Sequence, residues 1–176
     1  MKSYADANVN VAGGGITADD LATTGLTGSI YLTVSSIRSS AFYNQVLSTV
    51  IAPNVLSIGN AAFLECRELT SIDFPNVTTI GSYAFQSCSK LTTADFPNAT
   101  TISQYAFRSC SNLTELHLDG VKSVPTLGAS AFYSTPIGGY STIAGQYGSV
   151  FVPASLYESF LTATNWKSIS SRIVSV

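Results

Sequence analysis

The chain has 176 residues, 45% of them hydrophobic and only 10% charged, with a formal net charge of -2. That length suits one domain with enough apolar surface for a continuous core, and Ser and Thr take surface places that charge fills elsewhere. No Lys or Arg run offers a footprint for phosphate backbones, which argues against nucleic acid, and no apolar stretch approaches the roughly 18 to 20 residues needed to cross a bilayer.

The opening MKSYADANVN lacks the hydrophobic run of a signal peptide. The chain is therefore expected either to stay in the cell or to be a piece of a longer exported or assembled protein. Val9 and Val11 alternate with Asn8 and Asn10 as in a short strand, which Gly13, Gly14 and Gly15 break. Thr17 with Asp20 and Leu21 matches the cap of one helical turn. Residues 1–26 read as a tail or linker. In IYLTV, the alternating Ile30, Leu32 and Val34 predict a first strand that closes the open end of a stack of repeats.

The repeats occupy residues 27–149. IGNAAFLECRELTSIDFPNVTT starts at Ile58, IGSYAFQSCSKLTTADFPNATT at Ile80 and ISQYAFRSCSNLTELHLDGVKS at Ile102, a spacing of 22 that Phe63, Phe85 and Phe107 and Cys66, Cys88 and Cys110 share. A unit this short cannot bury a core alone, so each copy must lean on its neighbour and a solenoid results. A degenerate copy precedes them, with Ile37, Ala41 and Phe42 in register and one residue lost before Leu47, where Cys would be expected. A partial copy, LGASAF from Leu127, comes after an insertion of three around Pro125, and the pattern then stops in a Gly-rich loop.

Within the unit, Leu69, Ile72 and Phe74 have the L-x-x-L-x-L spacing of a leucine-rich repeat strand and point inward. Pro75 and Pro97 end the strand, since proline cannot donate to a ladder, and Asn76 and Asn98 suit the turn after it. Gly59 and Gly81 share a position with Ser103 and Gly128, so small size is read as the requirement there. The Ala-Phe pair and Cys face the core again in a short helical or irregular arc. Residues 150–176 read as a cap: Val150 and Val152 mark a strand, Pro153 opens a helix whose apolar face is Leu156, Phe160 and Leu161, and Trp166, Ile169, Ile173 and Val174 complete a plug.

The three cysteines form one column and are read as buried small hydrophobes. Stacked in a line at roughly the 4.8 Å strand spacing, they do not converge on a point as tetrahedral zinc requires; a disulfide between neighbours is not excluded by distance. No metal or cofactor is expected. The side chains between the inward ones face the concave surface, because strand residues alternate. This places Asp73 beside Asp95 beside His117, with Ser71, Thr93 and Glu115 in the adjoining column and Asp119 at the rim. Like charges opposite each other on neighbouring strands are mildly destabilising, so the acidic ladder marks either a solvated face or a surface for a cationic, carbohydrate or calcium-bridged partner. Tyr83 and Tyr105 share a second column that stacks on the return arm, with Tyr43 and Tyr133 one position after the Ala-Phe pair. His117 is the single histidine and the one candidate for imidazole base catalysis, yet every Cys is assigned inside while it lies outside. No catalytic residue is assigned.

The pattern I-G-x-x-A-F-x-x-C-x-x-L-x-x-I-x-F-P is met in full by Ile58 to Pro75, departs at Ala94 in Ile80 to Pro97, and departs at Ser103, Leu118 and Asp119 in the next copy. It resembles the bacterial leucine-rich repeats of the BspA surface proteins and their treponemal relatives, over roughly residues 27–135. The ending VFVPASLYESFLTATNWKSISSRIVSV is similar to the tail of such proteins in gut bacteria, and YADANVNV resembles a linker strand of prophage tail and surface proteins of gut Firmicutes. The resemblance implies an exported binding or adhesion module without catalytic activity. The expected fold is a mainly β, right-handed leucine-rich repeat solenoid with short helical arcs. The expected role is recognition of a protein or glycan at a bacterial surface or on a phage tail; a passive spacer is the alternative, and the oligomeric state is left open.

Overall fold

In the computed structural model, residues 27–140 and 146–176 are described in full, and residues 7–9 by their backbone. The strand expected from Val9 and Val11 is present as β1 (Ala7–Val9), while Val11, the glycine triplet and the Thr17 cap lie outside the described residues. β1 runs parallel to β2 (Thr27–Leu32), whose Ile30 and Leu32 are buried; Val34, expected in the same strand, is buried just beyond its end.

Each coil then contributes two short strands. The longer ones are β4 (Val46–Ile51), β6 (Ser71–Asp73), β8 (Thr93–Asp95) and β10 (Glu115–His117), and the return ones are β3 (Ser36–Ile37), β5 (Ser57–Ile58), β7 (Thr79–Ile80), β9 (Thr101–Ile102) and β11 (Thr126–Leu127). All described pairings are parallel, and the return strands form one sheet in the order β11-β9-β7-β5-β3. Parallel strands joined by coils rather than hairpins are what a stacked repeat must give. On the other face, β1-β2-β4-β6 form one sheet, while β8 and β10 join β12 (Ser149–Val152) and β13 (Ile173–Ser175) in a second.

The ladder is thus interrupted between β6 and β8. Ala52 N–H donates to Asp73 O at 2.9 Å and Phe96 N–H to His117 O at 3.0 Å, but the corresponding bond from Phe74 to Asp95 is not made. This is the junction where two carboxylates adjoin and where Ile72 meets the smaller Ala94, so repulsion and weaker side-chain packing fall together there.

The core is columnar. Phe42, Phe63, Phe85, Phe107 and Phe132 stack with centroids 5.0, 5.2, 5.3 and 5.6 Å apart. Phe74 and Phe96 form a second stack at 6.4 Å. Cys66, Cys88 and Cys110 are buried free thiols, as their column predicts, and each Sγ donates to a phenylalanine carbonyl of the preceding coil: Phe42 at 2.9 Å, Phe63 at 3.2 Å and Phe85 at 2.9 Å. Asn76 and Asn98 do more than suit a turn, since their Nδ2 groups donate to Pro53 O and Pro75 O one coil back, at 2.7 and 2.9 Å.

The arcs after the return strands are chains of turns, not helices. Two non-glycine residues per coil adopt positive φ: Ser40 and Asn44, Ala61 and Glu65, Tyr83 and Ser87, Tyr105 and Ser109, Ser130 and Ser134. In the first four arcs, the first of each pair, the Phe two residues on and the second of the pair donate their amides to carbonyls of the next coil, as Ala61, Phe63 and Glu65 do to Ser82, Ala84 and Gln86 at 2.7 to 2.8 Å. Gly59 and Gly81 have ordinary φ, and a Cβ there would come within 2.5 to 2.8 Å of the preceding coil's backbone, so closeness and not handedness selects the small residue.

At the C-terminal end, β12 takes the place of the next long strand beside β10. After it come a 3₁₀ turn (Ala154–Leu156) and α1 (Tyr157–Thr162), with Phe160 buried and Leu156 and Leu161 half-buried against the core. Trp166 is fully buried, meets Phe132 at 6.3 Å and Phe160 edge-on at 5.0 Å, and so ends the phenylalanine column. Its Nε1–H donates to Pro125 O at 2.7 Å. Ile169 and Ile173 are buried with it, but Val174 is 38% exposed and is not part of the plug: β13 alternates, and Val174 points to the opposite face from Ile173.

Candidate functional site

The outward face of the long strands gathers the acidic ladder into a row that extends beyond it. Strand register places Tyr31 beside Ile51 and Ile51 beside Asp73 on one sheet, and Asp95 beside His117, Phe151 and Val174 in turn on the other. Asp73 and Asp95 meet across the interrupted junction. The row therefore has two carboxylates at its middle and aromatic or aliphatic side chains on both flanks, and inward neighbours such as Val50, Ala94, Leu116 and Val150 are fully buried.

Ser71, Thr93 and Glu115 lie exposed in the adjoining column, continued by Thr49 and Ser149, and Asp119 is exposed at the position that Pro53, Pro75 and Pro97 hold in earlier coils. Partial burial pushes the Asp95 carboxyl above its ordinary range, and Asp119 and then Asp73 add to this against the opposing pull of His117. His117 stacks on Phe151 with centroids 4.6 Å apart, and its Nε2 is 3.4 Å from Glu115 Oε2. The imidazole is therefore held by a ring and a carboxylate, and the thiols lie in the core with Sγ atoms bonded to carbonyls. Among the described residues, no group of three His, Cys, Asp or Glu side chains converges as metal ligands.

The tyrosine column stacks as its spacing predicts, with the Tyr83 and Tyr105 rings 5.1 Å apart. Arg108 extends the strip, its guanidinium carbon 5.4 Å from the ring centres of both Tyr105 and Tyr133. This strip belongs to the arcs, whereas the acidic row belongs to the long strands, so the two candidate surfaces are separate features of each coil.

Four members of the row are not placed on this face by the sequence reading, and one of them, Val174, is expected inward. Ile51 stands 22 residues before Asp73, and the period alone suffices to place it. Tyr31 is displaced by an irregularity in the β2–β4 register, and Phe151 and Val174 lie past a loop that breaks the period. For these, only strand pairing gives the position.

A family model described as the BspA type leucine rich repeat region matches residues 35–146 in six copies. The chain belongs to the BspA-type leucine-rich repeat family. Among solved structures, this BspA-type chain is similar to a leucine-rich repeat protein of Bacteroides ovatus, with a TM-score of 0.62, 24% identity and coverage of 88% of this chain and 37% of that one. It is also similar to the leucine-rich repeat protein of T. pallidum, with a TM-score of 0.58, 27% identity and coverage of 70% and 57%. A leucine rich cell surface protein of Faecalibacterium prausnitzii matches with a TM-score of 0.51, 26% identity and coverage of 72% and 39%. The chain thus spans between about a third and about three fifths of these relatives' lengths. A search of curated proteins found no match. Among the described residues, no helix is long and apolar enough to cross a membrane.

Proposed function

We propose that this BspA-type repeat is a non-enzymatic recognition module of a longer bacterial surface or phage-tail protein, and that it meets a protein or glycan partner on the outward face of its long strands. The observation that carries this reading is the row Tyr31, Ile51, Asp73, Asp95, His117, Phe151 and Val174, drawn from laterally adjacent strands and exposed or partly exposed above a buried apolar interior. Solenoids use such extended faces for binding. Apolar flanks supply contact area, and the central carboxylates with Ser71, Thr93, Glu115 and Asp119 supply polar selection. The cell-surface description of the Faecalibacterium relative supports placement outside the cell, and the contacts of His117 with Phe151 and Glu115, apart from the buried thiols, support a non-enzymatic role.

The test is a glycan and extracellular-protein array probed with the purified chain at two ionic strengths. Binding that weakens as salt rises is expected, because exposed carboxylates are screened over about 10 Å at 0.1 M. Absence of signal at either salt would support a passive spacer instead.

A further inference from the structure

The cap closes only half of the last coil's hydrogen bonding. At each of the four junctions between arcs, three amides of one coil reach three carbonyls of the next: Ser40, Phe42 and Asn44 to Asn60, Ala62 and Leu64 at the first, Tyr105, Phe107 and Ser109 to Ala129, Ala131 and Tyr133 at the last. The final arc presents the same three amides on Ser130, Phe132 and Ser134, with φ of 55° and 57° at the two serines, as in the coils before it. Among the described residues, no acceptor meets them.

The cap supplies donors, not acceptors. Asn165 Nδ2 donates to Leu127 O at 2.6 Å and Trp166 Nε1 to Pro125 O at 2.7 Å, so carbonyls that a further coil would satisfy are satisfied by side chains. Between the arc and the cap a cavity of about 260 Å³ remains, walled by Gly128, Ser130, Phe132, Tyr133, Asn165 and Ile169, with Ser168 also lining it. Phe132 is buried and Ser134 half-buried, and amides so placed are costly to leave without acceptors; Ser130 is exposed, and it and Phe132 both line this cavity.

We propose that the cavity binds a short stretch of polypeptide, which lays backbone carbonyls on the Ser130 and Phe132 amides in the manner of the next coil. Three features select that ligand. The two amides are two residues apart and take, in every preceding coil, carbonyls that are themselves two residues apart. No wall residue carries a charge, so neutral amide carbonyls match the cavity better than an ion without a counter-charge. The volume lies just under the roughly 300–1,000 Å³ of small-molecule sites, which admits a short segment and excludes a whole coil of a second copy. The cavity shares no residue with the acidic row, so this inference stands or falls separately from the recognition face.

The experiment is a titration of the ¹⁵N-labelled chain with N-acetyl-Ala-Ala-Gly amide, followed at the backbone amide resonances. Saturable downfield shifts confined to Ser130, Phe132 and their cavity neighbours are expected. They should be lost with an analogue whose carbonyls are reduced to methylenes, and the peptide should bind at least tenfold more weakly to Ser168→Trp, which fills the mouth from an exposed position. A lack of shifts up to the solubility of the peptide would overturn the proposal. So would equal shifts in Ser168→Trp, or shifts produced by acetate or glucuronate but not by the peptide, which would mark a carboxylate site.

Discussion

At the scale of single residues, the coil is held by backbone conformations that side chains ordinarily avoid. Ten non-glycine residues in the arcs have φ between 54° and 63°, a region that costs an L-residue roughly 1–2 kcal/mol. In the first four arcs the amides at these positions reach the next coil, which offsets that cost. Ser87→Gly removes the steric penalty and gives back about 0.5–1 kcal/mol as unfolded-chain entropy, so a net stabilisation of about 0.5–1 kcal/mol is expected in urea unfolding; a lowered midpoint would contradict it. The thiols give a second test. Burial pushes the Cys66 thiol up to about 12, against a hydrogen bond from the Gln45 backbone that lowers it, and Cys88 is raised by burial and by its neighbour Cys110. Above the ordinary value of 9.0, the unfolded chain releases these protons while the folded chain keeps them, so stability is whole below pH 9 and falls as pH rises toward about 12. Urea midpoints between pH 8 and 11 should show that fall, reduced in Cys66→Ala.

At the scale of elements, the cap and the acidic junction carry the sharpest expectations. Trp166 ends the phenylalanine column and satisfies Pro125 O, so Trp166→Ala should cost about 3–5 kcal/mol in the manner of large buried truncations, with a cost below 1 kcal/mol counting against the plug. Asp95 lies where the ladder fails to form, and its carboxyl is raised mainly by burial. A raised carboxyl binds its proton more readily in the folded chain, so it lowers stability as pH rises through and above the acid range. Asp95→Asn should therefore stabilise the protein at pH 7, lose that advantage as pH falls below the ordinary aspartate range near 3.8, and increase hydrogen-exchange protection of the Phe74 amide. How legible these elements are depends on their period. Phe63, Cys66 and Leu69 recur at a fixed interval, and the core can be read directly from them. The turn conformation of the arcs cannot, because Ala, Tyr, Glu and Ser carry no signal for positive φ. Nor can the gap between β6 and β8, which depends on how Ile72 and Ala94 pack. The inward place expected for Val174 fails because spacing from Ile169 and Ile173 does not reveal which of two neighbours in a short strand faces inward.

At the scale of the molecule, the repeats stack coil on coil, and the face proposed for recognition is produced by that stacking. Asp73, Asp95 and His117 align from the repeat alone, so the centre of the candidate face is legible in the sequence. Its flanks are not, since Tyr31 enters after a register irregularity and Phe151 and Val174 enter only because β12 and β13 continue the sheet beyond the last period. A partner that uses the whole face would contact a surface partly written outside the repeat. The measurement that tests this most directly is the affinity of a partner identified on the array for the wild-type chain and for Asp73→Ala combined with Asp95→Ala. Affinity reduced at least tenfold, with stability unchanged or higher, is the expected result; unchanged affinity in a folded double variant would contradict the assignment of this face.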